Sequence, residues 1–163
     1  MTMRFSTDEI LEMAVELERR GTVFYENLAK KTSDLKSREI FVFLSEEEKK
    51  HLEYFQKTKD DLNKQIDFEP DTMDETSHYL GSLIENGVLG KVLQGLDLTQ
   101  GDSSLEKSLN VGMEVEKESV NFYTSLEIMV PEAKREFLKK IIQEEEKHYA
   151  ILLGIKKELG KCL

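Results

Sequence analysis

Apolar residues recur at alternating steps of three and four in four long windows of the chain, the spacing of a helix that buries one face. The windows predict helices over about residues 7–31, 34–64, 104–129 and 132–160. In the last of them, Leu138, Ile141, Glu145, His148, Leu152, Ile155 and Leu159 share one face. A buried stripe should be apolar throughout, and Glu145 and His148 break it one turn apart. An acid and an imidazole at i, i+3 can present an oxygen and a nitrogen to one metal ion. A single Glu-x-x-His also arises by chance in a chain rich in Glu, where it would sit on a solvated, salt-bridged face.

The other windows carry the same kind of interruption. Ser6 and Glu9 are spaced as a capping box for the first helix, whose stripe reads Leu11, Ala14, Val15, Glu18, Thr22, Tyr25, Leu28 and Ala29. Thr32, Ser33 and Asp34 form a polar turn able to cap the second helix, where Phe41, Leu44, Glu48, His51 and Phe55 share a face. Ser103 and Glu106 are spaced to cap the third, with Leu109, Met113, Glu116, Val120, Tyr123 and Leu126 on its stripe, and Pro131 opens the fourth. A shift of 98 residues superposes Glu18, Phe24 and Tyr25 on Glu116, Phe122 and Tyr123. A shift of 97 superposes Arg38, Glu39, Glu48 and His51 on Arg135, Glu136, Glu145 and His148. The chain is a duplicated helical hairpin.

The repeat also sets the heights of the interrupting residues. The midpoint between Glu18 and Glu48 falls at Ser33, and that between Glu116 and Glu145 falls beside Pro131, both on expected turns. In each hairpin the acids therefore lie roughly 22 Å from the bend, level with one another on facing helices. Residues 65–103 are far longer than the few that join neighbouring antiparallel helices. They should run back along the bundle so that the second and third helices are parallel. Thr72 and Glu75 can cap a short helix there, and apolar residues from Tyr79 to Leu96 should cover the bundle or a second subunit.

Composition narrows the chemistry. The chain has 163 residues, 39% apolar, with two prolines and abundant Glu, Lys and Leu, which suits one all-α domain over 1–163. A formal charge of −10 disfavours nucleic acid and anionic membrane as partners. The N-terminal stretch MTMRFSTDEI lacks an apolar signal core and no run is long enough to span a membrane, so the expectation is a cytoplasmic protein. Cys162 is the one cysteine, which excludes internal disulfides, thiolate-held iron-sulfur clusters and four-cysteine metal sites. Metal chemistry must then use carboxylates and imidazoles.

Collected, the candidate metal ligands are Glu18, Glu48, His51, Glu116, Glu145 and His148. The alternative is a bundle with these residues on wet faces. Four acids buried without cations would raise one another's pKa at a cost of several kcal/mol, whereas two divalent ions would balance their charge. Tyr25 and Tyr123 are candidates for a supporting catalytic role: each is either a core tyrosine with a satisfied hydroxyl or a donor to a ligand carboxylate across the bundle. His78 lies outside every stripe and reads as an ordinary polar residue. Glu47, Glu144 and Glu146 belong to a charged run and read as solvated.

Glu18 with Tyr25, Glu48-Lys-Lys-His51, Glu116 with Tyr123, and Glu145-Glu-Lys-His148 together make the chain resemble a rubrerythrin-type member of the ferritin-like di-iron carboxylate superfamily, over about residues 8–160. The resemblance implies a ferritin-like four-helix bundle of two hairpins joined by one long crossover, holding two iron ions, with manganese or zinc as alternatives. It implies that Glu48 and Glu145 bridge the ions, that Glu18 and Glu116 bind one each, and that each His gives one nitrogen. It further implies reduction of hydrogen peroxide, with cycling between diferrous and diferric states, in a homodimer. Two departures stand out. With nothing after Leu163 and one cysteine, the rubredoxin domain of full-length rubrerythrins is expected to be missing, so electrons would come from an external donor such as a rubredoxin-type protein. Rubrerythrins also place an extra ligating carboxylate near the third-helix Glu, where this chain has Met113 and Ser119. Dioxygen as oxidant, a bacterioferritin-like ferroxidase and a non-catalytic metal-binding bundle are the rival readings.

Overall fold

The computed structural model describes residues 7–65, 104–127 and 132–161, and these form four long helices. They are α1 (Thr7–Lys31), α2 (Leu35–Gln65), α3 (Leu105–Glu127) and α4 (Glu132–Lys161), within a residue or two of the periodicity at every described end. The short helix expected at 72–87, His78, the turn at Pro131 and the caps at Ser6 and Ser103 lie outside the described residues. None of the described residues is in a strand, and no described helix is long and apolar enough to cross a membrane.

Local chemistry accounts for the helix ends. Asp8 and Glu9 open α1 while Lys30 and Lys31 close it, so charge complements the helix dipole at both ends. The turn that follows is tied down by side chains. Arg38 donates twice to the Thr32 carbonyl at 3.0 Å, and the Asp34 carboxylate accepts the Ser37 N–H at 2.8 Å, capping α2. For α3 the Ser104 hydroxyl accepts the Lys107 N–H at 3.2 Å, one residue on from the cap expected at Ser103. One residue of register was lost because both neighbours are serine.

Cross-bundle contacts give the topology. Tyr25 bonds Glu116 while Tyr123 bonds Glu18, so α1 and α3 run antiparallel. Lys36 meets Glu158 at 3.0 Å and His51 meets Glu144 at 2.8 Å, so α2 and α4 also run antiparallel. The start of α3 and the end of α4 thus lie beside the α1–α2 turn, and Leu105 and Ser108 line one small cleft with Thr32, Ser33 and Asp34. α2 ends at the opposite pole, roughly 46 Å away along its 31 residues. α2 and α3 therefore run parallel, as expected from the length of the segment that separates them in sequence.

The predicted stripes form the core. All eight α1 positions and all five α2 positions are buried, as are Leu109, Glu116 and Tyr123 of α3 and Leu138 to Ile155 of the α4 stripe. Met113, Val120 and Leu159 are only half-buried. Gly112 lets α3 approach its neighbours: a Cβ there would lie 3.1 Å from both Leu152 and Phe24. Leu152 is fully buried at this crossing. Leu152→Ala should lower unfolding free energy by about 2–5 kcal/mol in a denaturant titration, through lost transfer energy and the cavity left behind. A change under about 1 kcal/mol would mean this layer is not packed as described.

Candidate metal centre

One polar cluster interrupts this apolar core, and it is built from one face of each helix. α1 supplies Glu18, α2 supplies Glu48 and His51, α3 supplies Glu116, and α4 supplies Glu145 and His148, each at most 4% exposed. The structure brings together all six residues singled out by the stripes. Two overlapping sets arise: Glu18, Glu48, His51 and Glu145 offer atoms within 4.8 Å of one another, and so do Glu48, Glu116, Glu145 and His148. Glu48 and Glu145 belong to both.

The shared acids each turn one oxygen to each half. Glu145 places Oε1 3.0 Å from His51 Nδ1 and Oε2 3.5 Å from His148 Nδ1. Glu48 places Oε1 3.1 Å from His148 Nδ1 and Oε2 3.9 Å from His51 Nδ1. Glu18 Oε2 lies 3.4 Å from His51 Nδ1, and Glu116 Oε2 lies 3.9 Å from His148 Nδ1. The two imidazoles lie nearly parallel, 5.8 Å apart.

The donor set fits cations. Glu18 Oε2, Glu48 Oε1, both oxygens of Glu145 and Nδ1 of each histidine are buried, converge on one place, and have no hydrogen-bond partner. Buried acceptors are normally paired, because an unpaired one costs about 1–3 kcal/mol. Six orphans aimed inward are a candidate ligand set. Without ions, burial first, then the charges of Glu145 and its neighbours, push Glu48 and Glu116 well above the usual carboxylate range, so these two acids hold protons. Burial works against a charged imidazole at His51, but the carboxylates of Glu145 and Glu18 outweigh it and push the group up to about 11. Glu145 is held low despite its burial, because both imidazoles face it. Oxygen and nitrogen donors of this kind suit iron, manganese or zinc.

The tyrosines take the second of the two roles open to them. Tyr25 donates its hydroxyl to Glu116 Oε1 and Tyr123 donates to Glu18 Oε1, each across the bundle, leaving the other oxygen of each acid aimed inward. Burial, then the nearby acids, raises both phenols well above their ordinary value, so they remain donors. Tyr123→Phe should weaken metal binding in the Glu18 half about tenfold, because the ligand loses the contact that orients it. A calorimetric titration indistinguishable from wild type would contradict that role.

One expectation fails here. Glu144 is not a solvated member of its charged run; its Oε2 lies 2.8 Å from Nε2 of His51, on the far side of the ring from the cluster. Glu146 is exposed as expected, and half-buried Glu47 pairs with Lys50. A signal for Glu144 was available in the repeat: each ligand pair is preceded by a glutamate, Glu47 before Glu48 and Glu144 before Glu145.

A family model described as Rubrerythrin matches residues 9–156. A crystal structure at 2.30 Å of a Thermotoga maritima protein, described provisionally as a ferritin-like diiron-carboxylate protein, superposes with a TM-score of 0.65 at 24% identity, covering 97% of this chain and 99% of that one. That likeness supports the fold. No curated protein matches the chain in sequence.

Proposed function

The chain belongs to the rubrerythrin family, and on that premise we propose that its buried cluster holds two iron ions and reduces hydrogen peroxide, taking electrons from an external donor. The observation that carries this reading is the convergence of six buried donor atoms without a hydrogen-bond partner into two sets that share Glu48 and Glu145. Glu18 and His51 would complete one half, and Glu116 and His148 the other. When bound in the ferrous state, the pair would supply the two electrons that, with two protons, take one peroxide to two waters. Four carboxylates and two imidazoles offer at most eight oxygens and two nitrogens, fewer than the twelve positions of two octahedral ions. Room for an oxidant is left.

The surrounding residues serve such a reaction in ordinary ways. Tyr25 and Tyr123 fix the two unshared acids by hydroxyl donation. Phe55 stacks on the Tyr123 ring at 5.6 Å and helps to exclude water from that side. A rubredoxin-type protein is the proposed electron donor. A homodimer in the cytoplasm is the proposed setting, and size-exclusion chromatography separates it from a ferritin-like cage.

The test is a stopped-flow comparison. Anaerobic diferrous protein is mixed with equal concentrations of peroxide and of dioxygen while diferric absorption is followed. Full reduction of dioxygen needs four electrons and the centre stores two, so peroxide should oxidise it faster. Faster oxidation by dioxygen, or mineral growth with excess iron, would overturn the peroxidase reading in favour of an oxidase or a ferroxidase. A protein isolated with zinc and silent to both oxidants would favour the non-catalytic reading.

A further inference from the structure

The two halves of the cluster are related by the sequence repeat, yet they differ in one contact. The 97-residue shift pairs Glu47 with Glu144, Lys50 with Lys147 and His51 with His148. On one side, Glu144 Oε2 sits 2.8 Å from the outer nitrogen, Nε2, of His51. On the other, the mate of Glu144 is turned away: the Glu47 carboxylate bonds Lys50 Nζ at 2.5 Å. Every carboxylate near His148 approaches its inner nitrogen, Nδ1, and among the described residues none comes within ion-pair reach of its Nε2.

This difference bears directly on affinity. A carboxylate on the outer nitrogen of a ligating imidazole fixes the tautomer with the proton there, leaves the inner nitrogen as a lone pair facing the metal, and makes the ring a stronger donor. Such partners are worth about 10–100-fold in metal affinity. His51 has one and His148 does not. Glu144 is also placed to act through His51 alone: it is 26% exposed, lies on the outer side of the ring, and is not in either inward-facing set.

We propose that Glu144 is a positioning residue that makes the half formed by Glu18, Glu48, His51 and Glu145 the tighter of two divalent-metal sites, so that the ions load in a fixed order. The inference rests on the two-metal reading above. Lys50 is the counterpart device, holding Glu47 off His148 and keeping the second half weak. Freed from Lys50, Glu47 would be available to His148 from the position that corresponds, by the 97-residue repeat, to that of Glu144 relative to His51.

Titration of metal-free protein with Co(II), followed by calorimetry and by proton NMR, tests this. Wild type should take two ions in two resolved steps, the first producing a contact-shifted, solvent-exchangeable imidazole N–H resonance. His51→Ala should remove the tight step and His148→Ala should leave it. Glu144→Gln should weaken the first step 10–100-fold, leave the second unchanged and speed exchange of the N–H proton, with Glu144→Asp restoring part of each. Lys50→Met should tighten the second step and narrow the gap. Two ions bound in equal steps, a tight step lost in His148→Ala in place of His51→Ala, or an unaltered first step in Glu144→Gln would each overturn the ordering. Fewer than two ions in wild type would instead overturn the two-metal reading itself.

Discussion

Replacing Glu145 with alanine should destroy binding of both metal ions, whereas replacing Glu18 should weaken only one. Glu145 lies 3.0 Å from His51 Nδ1 by one oxygen and 3.5 Å from His148 Nδ1 by the other, so it is the acid that both halves share most closely. Loss of a contact that only orients a ligand costs about 10–100-fold, and loss of a shared ligand must exceed that at each step, so affinity should fall more than about a hundredfold for both ions. Glu48→Ala should behave in the same way, since its oxygens lie 3.1 and 3.9 Å from the two imidazoles. Ferrous titration of each variant gives the number bound, and far-UV circular dichroism checks that the helices persist. One full-affinity ion retained in Glu145→Ala would mean that the halves are separate sites.

The same residues show why so much of the site was legible before any fold was known. Glu18, Glu48, His51, Glu116, Glu145 and His148 stand where a buried helical face should be apolar, and a buried charge needs a compensating partner. The 97- and 98-residue registers then fixed their heights, because two helices joined by a short turn must place equidistant residues side by side. What was not legible depends on side-chain direction. Helix period alone puts Glu144 one step off the stripe, next to Glu145, and cannot say that it leans over the outer edge of a ring 93 positions away in sequence. The choice between the two roles of Tyr25 and Tyr123 was open for the same reason: their stripe position required burial, but only the antiparallel crossing of α1 and α3 brings each hydroxyl to the other helix's acid. The cap at Ser104 shows the limit at helix ends, where adjacent serines are equivalent in sequence and one hydrogen bond separates them.

Metal should convert a protein destabilised by rising pH into one that is not. In the metal-free state, Glu48 and Glu116 keep protons above the ordinary carboxylate value of 4.5, chiefly through burial, while the unfolded chain gives them up there. His51 likewise keeps its proton to about 11 against an ordinary 6.5. All three groups bind protons more tightly when folded, so the stability they contribute is full in acid and is lost as pH rises through the folded values. Glu145, held low, has the opposite sign, but its contribution is lost only as pH falls below its ordinary 4.5. Between about pH 5 and pH 9 the metal-free protein should therefore melt at steadily lower temperature. Ions bind the deprotonated ligands, so their affinity rises over the same window. At free metal about a thousandfold above Kd, binding adds about 4 kcal/mol, or roughly 8–16 °C in Tm for a domain of this size. Differential scanning calorimetry of chelated and loaded protein across that range should show the two curves diverging as pH rises. Parallel curves would mean that the acids are not gathered in one buried place.

Whether two ions share Glu48 and Glu145 is read out by anomalous diffraction at the iron edge from iron-loaded crystals. Two anomalous peaks are expected inside the bundle, one in contact with Glu18, Glu48, His51 and Glu145 and the other with Glu48, Glu116, Glu145 and His148. A single peak, or two peaks with no ligand in common, would contradict this sharing.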